Sequence, residues 1–164
     1  MRPGTLLQSA IPVLAAALFL GNPWAKAEAA PLAERLVGQW SCQAQENDAA
    51  IAMTLNYRLS NGWLIGEITE DNGATLLDVW LDDGSTPLAL RRVLSYDATV
   101  EMKLVEETAE RIKLEGEMRH VLASGGPVRE EFRFTGNDRF DALWEADLGE
   151  EWVPILARSC GRSG

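Results

Sequence analysis

Arg111-Ile-Lys-Leu-Glu-Gly-Glu-Met-Arg-His120 is the stretch that decides the fold of this chain. Charged residues occupy one set of alternate positions, and the other set is mostly apolar: Ile112, Leu114, Gly116, Met118 and His120. A helix would scatter both sets around its circumference, whereas successive side chains of a strand point to opposite faces. The stretch therefore predicts a half-buried β-strand.

The same alternation extends to both sides of this strand. Upstream, Ile51 to Leu59 alternates and is followed by Asn61-Gly62, a strong signal for a tight hairpin. Downstream, the turn residues Ser124 to Pro127 lead into an alternating run from Val128 to Thr135. The pattern predicts short strands joined by short turns.

Strands of this kind follow one another along the rest of the chain. The first is predicted at Leu36 to Ala44 and the last at Glu150 to Cys160, with a bulge at Pro154 because proline cannot donate to a ladder. A long antiparallel meander closes on itself to remove its edges. We predict an all-β fold, an antiparallel up-and-down β-barrel of about eight to ten strands.

Residues 1–29 are predicted to be a cleavable signal peptide. Arg2 precedes an apolar run from Ala10 to Leu20, and small residues follow at Ala25, Ala27 and Ala29. The run is about 11 residues long, short of the roughly 20 that span a bilayer. We expect one barrel domain at 30–164, in the periplasm or secreted, without membrane insertion.

The charge of the chain narrows its partners. The formal net charge is −10, and it becomes more negative when Arg2 and Lys26 leave with the signal peptide. Nucleic acid requires a basic footprint, so we predict that nucleic acid is not a partner. Small ligands, cations and basic proteins remain. The oligomeric state is left open.

Cys42 and Cys160 are the two cysteines of the chain. An exported protein meets an oxidising compartment, where two thiols can pair and persist. We expect a disulfide between the first and last strands. There is no Cys-x-x-Cys, and the one histidine is far from both cysteines in sequence, so neither a metal site nor a cofactor is predicted.

Three residues carry a family resemblance. Gly38-x-Trp40 on the first strand, together with Arg158 late in the last strand, resembles the lipocalin or wider calycin superfamily. The resemblance implies that Trp40 plugs the closed end of the barrel and that Arg158 packs across its indole. Gly38, Trp40, Arg158 and both cysteines would then be structural. A helix after the last strand and a Thr-Asp-Tyr loop, typical of transport lipocalins, are missing, which brings the chain closer to small bacterial lipocalin-like proteins.

Three polar residues lie in apolar positions of the alternation. Arg92 stands between Leu90 and Leu94, His120 follows Met118, and Glu130 stands between Val128 and Phe132. If the strands keep register, all three project into the barrel. We predict an interior site for a small amphipathic or hydrophobic ligand, in which Arg92 holds an anionic head and His120 and Glu130 act near the mouth. Its apolar wall would consist of Tyr57, Phe132, Phe134 and Trp144.

Other interpretations stay open. A bulge would turn these side chains outward, and an Arg–Glu pair can satisfy itself in a core. The acidic chain could instead be an interaction or inhibitor protein for a basic partner. A third interpretation is haem binding or enzymatic chemistry at His120. Neither a Gly-x-Ser-x-Gly motif nor a phosphate-binding glycine loop is found, so we predict no catalytic residues and lean against an enzyme.

Overall fold

The computed structural model describes residues 35–46, 49–81, 89–95, 97–121 and 125–163. The predicted signal peptide therefore lies outside the described residues. The described part contains ten strands: β1 (Gly38–Glu46), β2 (Ala49–Ser60), β3 (Trp63–Glu70), β4 (Thr75–Leu81), β5 (Ala89–Leu94), β6 (Ala98–Glu107), β7 (Arg111–His120), β8 (Gly126–Phe134), β9 (Arg139–Asp147) and β10 (Trp152–Arg162).

Each strand pairs antiparallel with its neighbours in sequence, and β1 also pairs with β10. The sheet is thus a closed up-and-down barrel, which confirms the predicted fold class. The stretch from Arg111 to His120 is strand β7, paired with β6 and β8. Among the described residues, only Arg35 and Leu36 have helical backbone. No helix in this part of the chain is long and apolar enough to cross a membrane.

The alternation of the sequence becomes the inside and outside of the barrel wall. On β2, Ile51, Met53, Leu55 and Tyr57 are buried, while most residues between them face outward. The same pattern holds on β1, β4 and β9. The inward rows merge into one apolar core along the barrel. Burial of these rows supplies most of the driving force for folding.

Two bulges interrupt the ladders. Register shifts between Pro154 and Leu156 on β10, which confirms the predicted bulge at Pro154. A second shift between Leu104 and Glu106 on β6 leaves Val105 as an extra residue whose side chain is half exposed. The first strand begins at Gly38 rather than at the predicted Leu36, because Leu36 still belongs to a helical turn.

The seam between β1 and β10 closes the barrel. Cys42 and Cys160 face each other in the ladder and form a disulfide, with Cα atoms 4.1 Å apart. The predicted link between the first and last strands is therefore confirmed. Next to it, the Ser163 amide donates to the Gln39 carbonyl at 2.8 Å. The bridge and the ladder together hold the two strands in one register.

One end of the barrel is sealed around Trp40, and we call this group the seal: Leu36, Trp40, Phe140 and Arg162. Trp40 is fully buried and its indole N–H donates to the Leu36 carbonyl at 2.8 Å. Phe140 meets the indole edge-on, with ring centroids 4.8 Å apart. The guanidinium of Arg162 lies 4.3 Å from the indole centroid.

The arginine over Trp40 is thus Arg162 and not Arg158, which corrects the contact implied by the resemblance. Arg162 is the direct cross-strand partner of Trp40, whereas Arg158 pairs with Ala44, farther into the barrel. Both arginines are on the inward face of β10, but only Arg162 is at the same level of the ladder as Trp40 and lies on its indole. Gly38 makes room for it, because a Cβ there would lie 2.5 Å from Nη1 of Arg162.

Candidate binding site in the barrel interior

Four charged side chains lie inside the barrel, each on a different strand. They are at most 3% exposed: Asp78 on β4, Arg92 on β5, Glu130 on β8 and Arg158 on β10. Each occupies an inward position between apolar neighbours, as Asp78 does between Leu76 and Trp80. Isolated buried charges are costly, so the four are expected to pair.

Arg92 joins the two carboxylates. Its Nε donates to Oδ1 of Asp78 at 2.7 Å and its Nη2 to Oδ2 at 3.0 Å, a bidentate contact. The same Nη2 lies 3.0 Å from Oε2 of Glu130, close enough for an ion pair but not aligned for a hydrogen bond. Arg92 therefore links neighbouring strand β4 to strand β8 across the interior.

Two further residues extend the cluster. Nη2 of Arg158 donates to Oε1 of Glu130 at 2.8 Å, and the Tyr57 hydroxyl donates to Oδ2 of Asp78 at 3.0 Å. We call this group the charge layer: Tyr57, Asp78, Arg92, Glu130 and Arg158. Two guanidinium groups balance two carboxylates, so the layer carries no net charge.

Tyr57 reaches the charge layer because the facing position is a glycine. Gly66 is its partner on β3, and a Cβ there would lie 2.2 Å from the tyrosine ring. Burial, reinforced by the Asp78 carboxylate, raises the pKa of the Tyr57 phenol well above its usual value. Burial alone would lower the pKa of Arg92, but Asp78 and Glu130 raise it well above its usual value. Both groups keep their protons.

Several buried N–H groups around the charge layer have no acceptor in the protein. We call them the orphan donors: Nη1 of Arg92, Nε and Nη1 of Arg158, and the indole Nε1 of Trp80 and of Trp144. The guanidinium of Arg92 lies 5.1 Å from the Trp144 ring and that of Arg158 lies 5.5 Å from the Phe132 ring. These aromatic contacts offset part of the cost, but they leave the donors unused.

The structure brings five of the seven predicted ligand-binding residues together. Tyr57, Arg92 and Glu130 belong to the charge layer, and Phe132 and Trp144 lie against its arginines. The other two lie elsewhere. Phe134 is at the sealed end, where the Arg35 guanidinium stands 3.7 Å from its ring. His120 is half-buried at the far end of β7, paired with Ala98.

Sequence reasoning missed Asp78, Trp80 and the interior role of Arg158. The signal for Asp78 was the same as for Arg92, a charged residue in apolar phase. Arg158 was assigned to Trp40 by resemblance, although its own phase, between Leu156 and Cys160, also points inward. The orphan donors of the tryptophans leave no trace in sequence, since they depend on what lies near each indole.

The outer wall differs from the interior in how its charges are satisfied. A cavity of about 930 Å³ lies over β1 and β7 to β10, and its lining includes Glu130 and Arg158 of the charge layer. Its charged lining is largely paired: Nε of Arg129 lies 2.6 Å from Oε2 of Glu145, and the Ser159 hydroxyl donates to Asp141 at 2.6 Å. Of the described charged residues that line this cavity, only Arg158 has buried donors without a partner.

The end of the barrel opposite the seal carries unpaired acidic residues, which we call the acidic rim: Glu46, Glu70, Asp71, Asp97, Asp147, Glu150 and Glu151. The ion pairs found among the described residues all use other carboxylates. Val121 and Leu148 lie at the same end and are 76% and 71% exposed. This end therefore combines negative charge with exposed apolar side chains.

Comparison with known proteins bears on the fold alone. No family model and no curated protein matches the chain. Among solved structures, the barrel is similar to Rv2717c from M. tuberculosis. That match has a TM-score of 0.62 and 13% sequence identity, and it covers 83% of this chain and 99% of the other. The likeness supports the ten-strand barrel.

Proposed function

We propose that this protein binds a small, largely apolar ligand inside its barrel, with a polar head placed against the charge layer. The observation that carries the proposal is the set of orphan donors. A buried donor without an acceptor costs about 1–3 kcal/mol, and more when the donor is charged. A ligand oxygen next to Arg92 and Arg158 would offset that cost, which gives a reason for keeping unused donors in a core.

The surroundings of the charge layer suit an apolar body. Phe132 and Trp144 lie against its two arginines, and the inward rows around them are apolar. Binding sites for small molecules are typically apolar with a few placed polar groups. The seal blocks one end, so the ligand would enter from the acidic rim.

The setting we propose is the periplasm or the exterior of the cell. The disulfide between β1 and β10 fits an oxidising compartment, and the sequence of residues 1–29 has the features of a signal peptide. The position of Trp40 inside the sealed end is what the lipocalin resemblance implied. On this proposal the chain is a lipocalin-like exported binding protein.

Ligand titration tests the proposal. Monomeric amphiphiles with a ten-carbon chain would be titrated into the purified mature protein, with binding followed by tryptophan fluorescence and calorimetry. We expect saturable one-to-one binding by at least one amphiphile. Trp80→Phe removes one orphan donor and should weaken binding several-fold, while Trp63→Phe, half exposed on the outer wall, should not. No saturable binding by any member would overturn the proposal.

The acidic rim favours a second candidate function, docking of a basic amphipathic partner. Its carboxylates are at the same end of the barrel as the exposed Val121 and Leu148, so a cationic surface with apolar side chains would meet both features. The probe would be a synthetic Lys/Leu amphipathic helix, titrated at low and high salt. Exposed charge pairing is screened within about 10 Å at 0.1 M salt, so affinity should fall with salt. Glu150→Gln/Glu151→Gln should weaken binding; unchanged binding would remove this candidate.

A further inference from the structure

We infer that the interior site selects a ligand whose head is an uncharged hydrogen-bond acceptor, such as an ester, ketone or amide carbonyl. A carboxylic acid would be taken up only in its protonated form. The inference rests on the proposed function and specifies its ligand class. It also replaces the anionic head that the sequence suggested for Arg92.

The charge balance of the interior carries this step. The guanidinium of Arg92 is held by Asp78 on one edge and lies 3.0 Å from Glu130. Glu130 also accepts from Arg158 at 2.8 Å. Since the two cations are already neutralised by two carboxylates, a third carboxylate would leave a net negative charge in a region shielded from water.

Apart from Oε2 of Glu130, which lies 3.0 Å from Nη2 of Arg92, the unused buried groups are donors and call for an acceptor. An indole N–H and a guanidinium N–H can only donate, and all five orphan donors are of these two types. A carbonyl oxygen can accept two such bonds and adds no charge. An amine head would bring further donors, so it should bind worst. The donor set therefore favours carbonyl heads over alcohols and alcohols over amines.

The pH dependence follows from the groups that face the site. These are Tyr57 on β2, Asp78 on β4, Arg92 on β5, Glu130 on β8 and Arg158 on β10. In the described strands the inward rows of β1, β3 and β7 end at the rim with Glu46, Glu70 and His120. Between about pH 7 and pH 9, Tyr57 and Arg92 keep their protons, because the pKa of each group is raised well above its usual value. The affinity for an uncharged ligand should therefore be flat over this range.

The test is calorimetric titration of the mature protein with monomeric methyl decanoate, decanoic acid, decane and decylamine. We expect methyl decanoate to bind most tightly, with constant affinity across this range. The apparent dissociation constant of decanoic acid should rise about tenfold per pH unit, because only its protonated form enters. Tighter binding of decanoate than of the ester near pH 8 would overturn the inference while leaving the proposed function intact. Failure of all four ligands to bind would overturn both.

A charge-changing variant provides a second arm. Glu130→Gln keeps the shape of the side chain and gives the charge layer one net positive charge. We expect its preference to shift at least tenfold from methyl decanoate toward decanoate. Glu131→Gln is the matched control, because Glu131 faces the outer wall and pairs with Arg133 and Lys113. Equal ligand preferences in the wild type and Glu130→Gln would contradict the inference, and the wild-type pH profile decides the question if the variant does not fold.

Discussion

Arg162 and Arg158 stand four residues apart on β10, yet the protein treats them in opposite ways. Every nitrogen of the Arg162 guanidinium donates to a backbone carbonyl: Nη1 to Val37, Nη2 to Arg35 and Asn137, and Nε to Asn137. Arg158 donates one bond, to Glu130, and leaves Nε and Nη1 unused. The more deeply buried arginine is the less satisfied one.

This contrast separates a structural end of the barrel from a region with spare binding capacity. In the seal, backbone carbonyls accept a hydrogen bond from every nitrogen of the Arg162 guanidinium, and its flat face covers Trp40. In the charge layer, the carboxylates balance the charge of the guanidinium groups, but some guanidinium N–H groups have no acceptor. Saturated donors fix a geometry, whereas unsaturated buried donors require an explanation such as a ligand or water.

Removing the disulfide next to the seal should have the largest effect on stability. Cys42→Ala/Cys160→Ala releases a loop of more than 100 residues in the unfolded chain. The chain-entropy model gives a loss of about 4–5 kcal/mol in the free energy of unfolding, measured by urea denaturation. Ligand affinity should stay constant, because the bridge supplies none of the orphan donors. A loss of affinity without a loss of stability would show that the disulfide near the seal contributes to binding rather than to stability.

Breaking the charge layer comes next. Arg92→Met leaves the buried Asp78 carboxylate without its cation and should lower the free energy of unfolding by about 3–5 kcal/mol. The control is Arg91→Met on the same strand, since its pair with Glu101 is exposed and worth at most about 1 kcal/mol. Adding Asp78→Leu to Arg92→Met should restore much of the stability. An equal loss in the free energy of unfolding for Arg92→Met and Arg91→Met would show that the buried ion pair matters no more than the exposed one.

Lysine at each β10 arginine compares the two regions directly. Arg162→Lys loses the planar donor set and should lower the free energy of unfolding by about 1–2 kcal/mol, with ligand affinity unchanged. Arg158→Lys keeps the charge beside Glu130 but removes two of the five orphan donors, Nε and Nη1 of Arg158, so affinity for methyl decanoate should fall about tenfold. Denaturation and calorimetry on both variants check this. A loss of affinity in Arg162→Lys with unchanged affinity in Arg158→Lys would contradict the prediction.

The smallest expected effect is an alkaline one. Because the folded pKa of Tyr57 is raised, the folded state keeps this proton after the unfolded chain has lost it. The stabilisation is fully present below about pH 10 and is lost at up to about 1.4 kcal/mol per pH unit above it. Denaturation of the wild type and of Tyr57→Phe, below and above about pH 10, measures how the free energy of unfolding changes with pH. Identical slopes would show that Tyr57 does not titrate differently on folding.

The sequence predicted the barrel because alternation is a local signal. The inward positions can be recognised one by one from the alternation in Ile51 to Tyr57 and in Ile112 to His120. Asn61-Gly62 predicts a tight turn. Cys42 and Cys160 predicted the seam because their strands are the ends of a closed meander. Arg92 and Glu130 were found inside for the same reason, since apolar phase is readable without knowing the partner.

The pairing of the interior groups could not be read in the same way. Asp78 meets Arg92 because the two are direct ladder partners on β4 and β5, and the sequence does not state that register. Glu130 on β8 meets Arg92 and Arg158 on strands that are not its ladder neighbours, and the sequence alternation does not specify such contacts. Whether Arg158 or Arg162 lies over Trp40 depends on the register between β1 and β10. Phe134 was misplaced because phase gives a face of the strand and not a depth along the barrel axis.

Because β1 pairs with β10, every strand of the barrel is hydrogen-bonded on both sides, and no strand is an edge strand. Each strand bonds to its two sequence neighbours, and the strands at the two ends of the series bond to each other, so the ladder order is circular. A short linker from Ser163 to Arg35, with new termini opened at Asn61-Gly62, would keep all ten pairings. Such a circular permutant would make the closing seam an ordinary hairpin, and β2–β3 would become the pairing between the two ends of the chain.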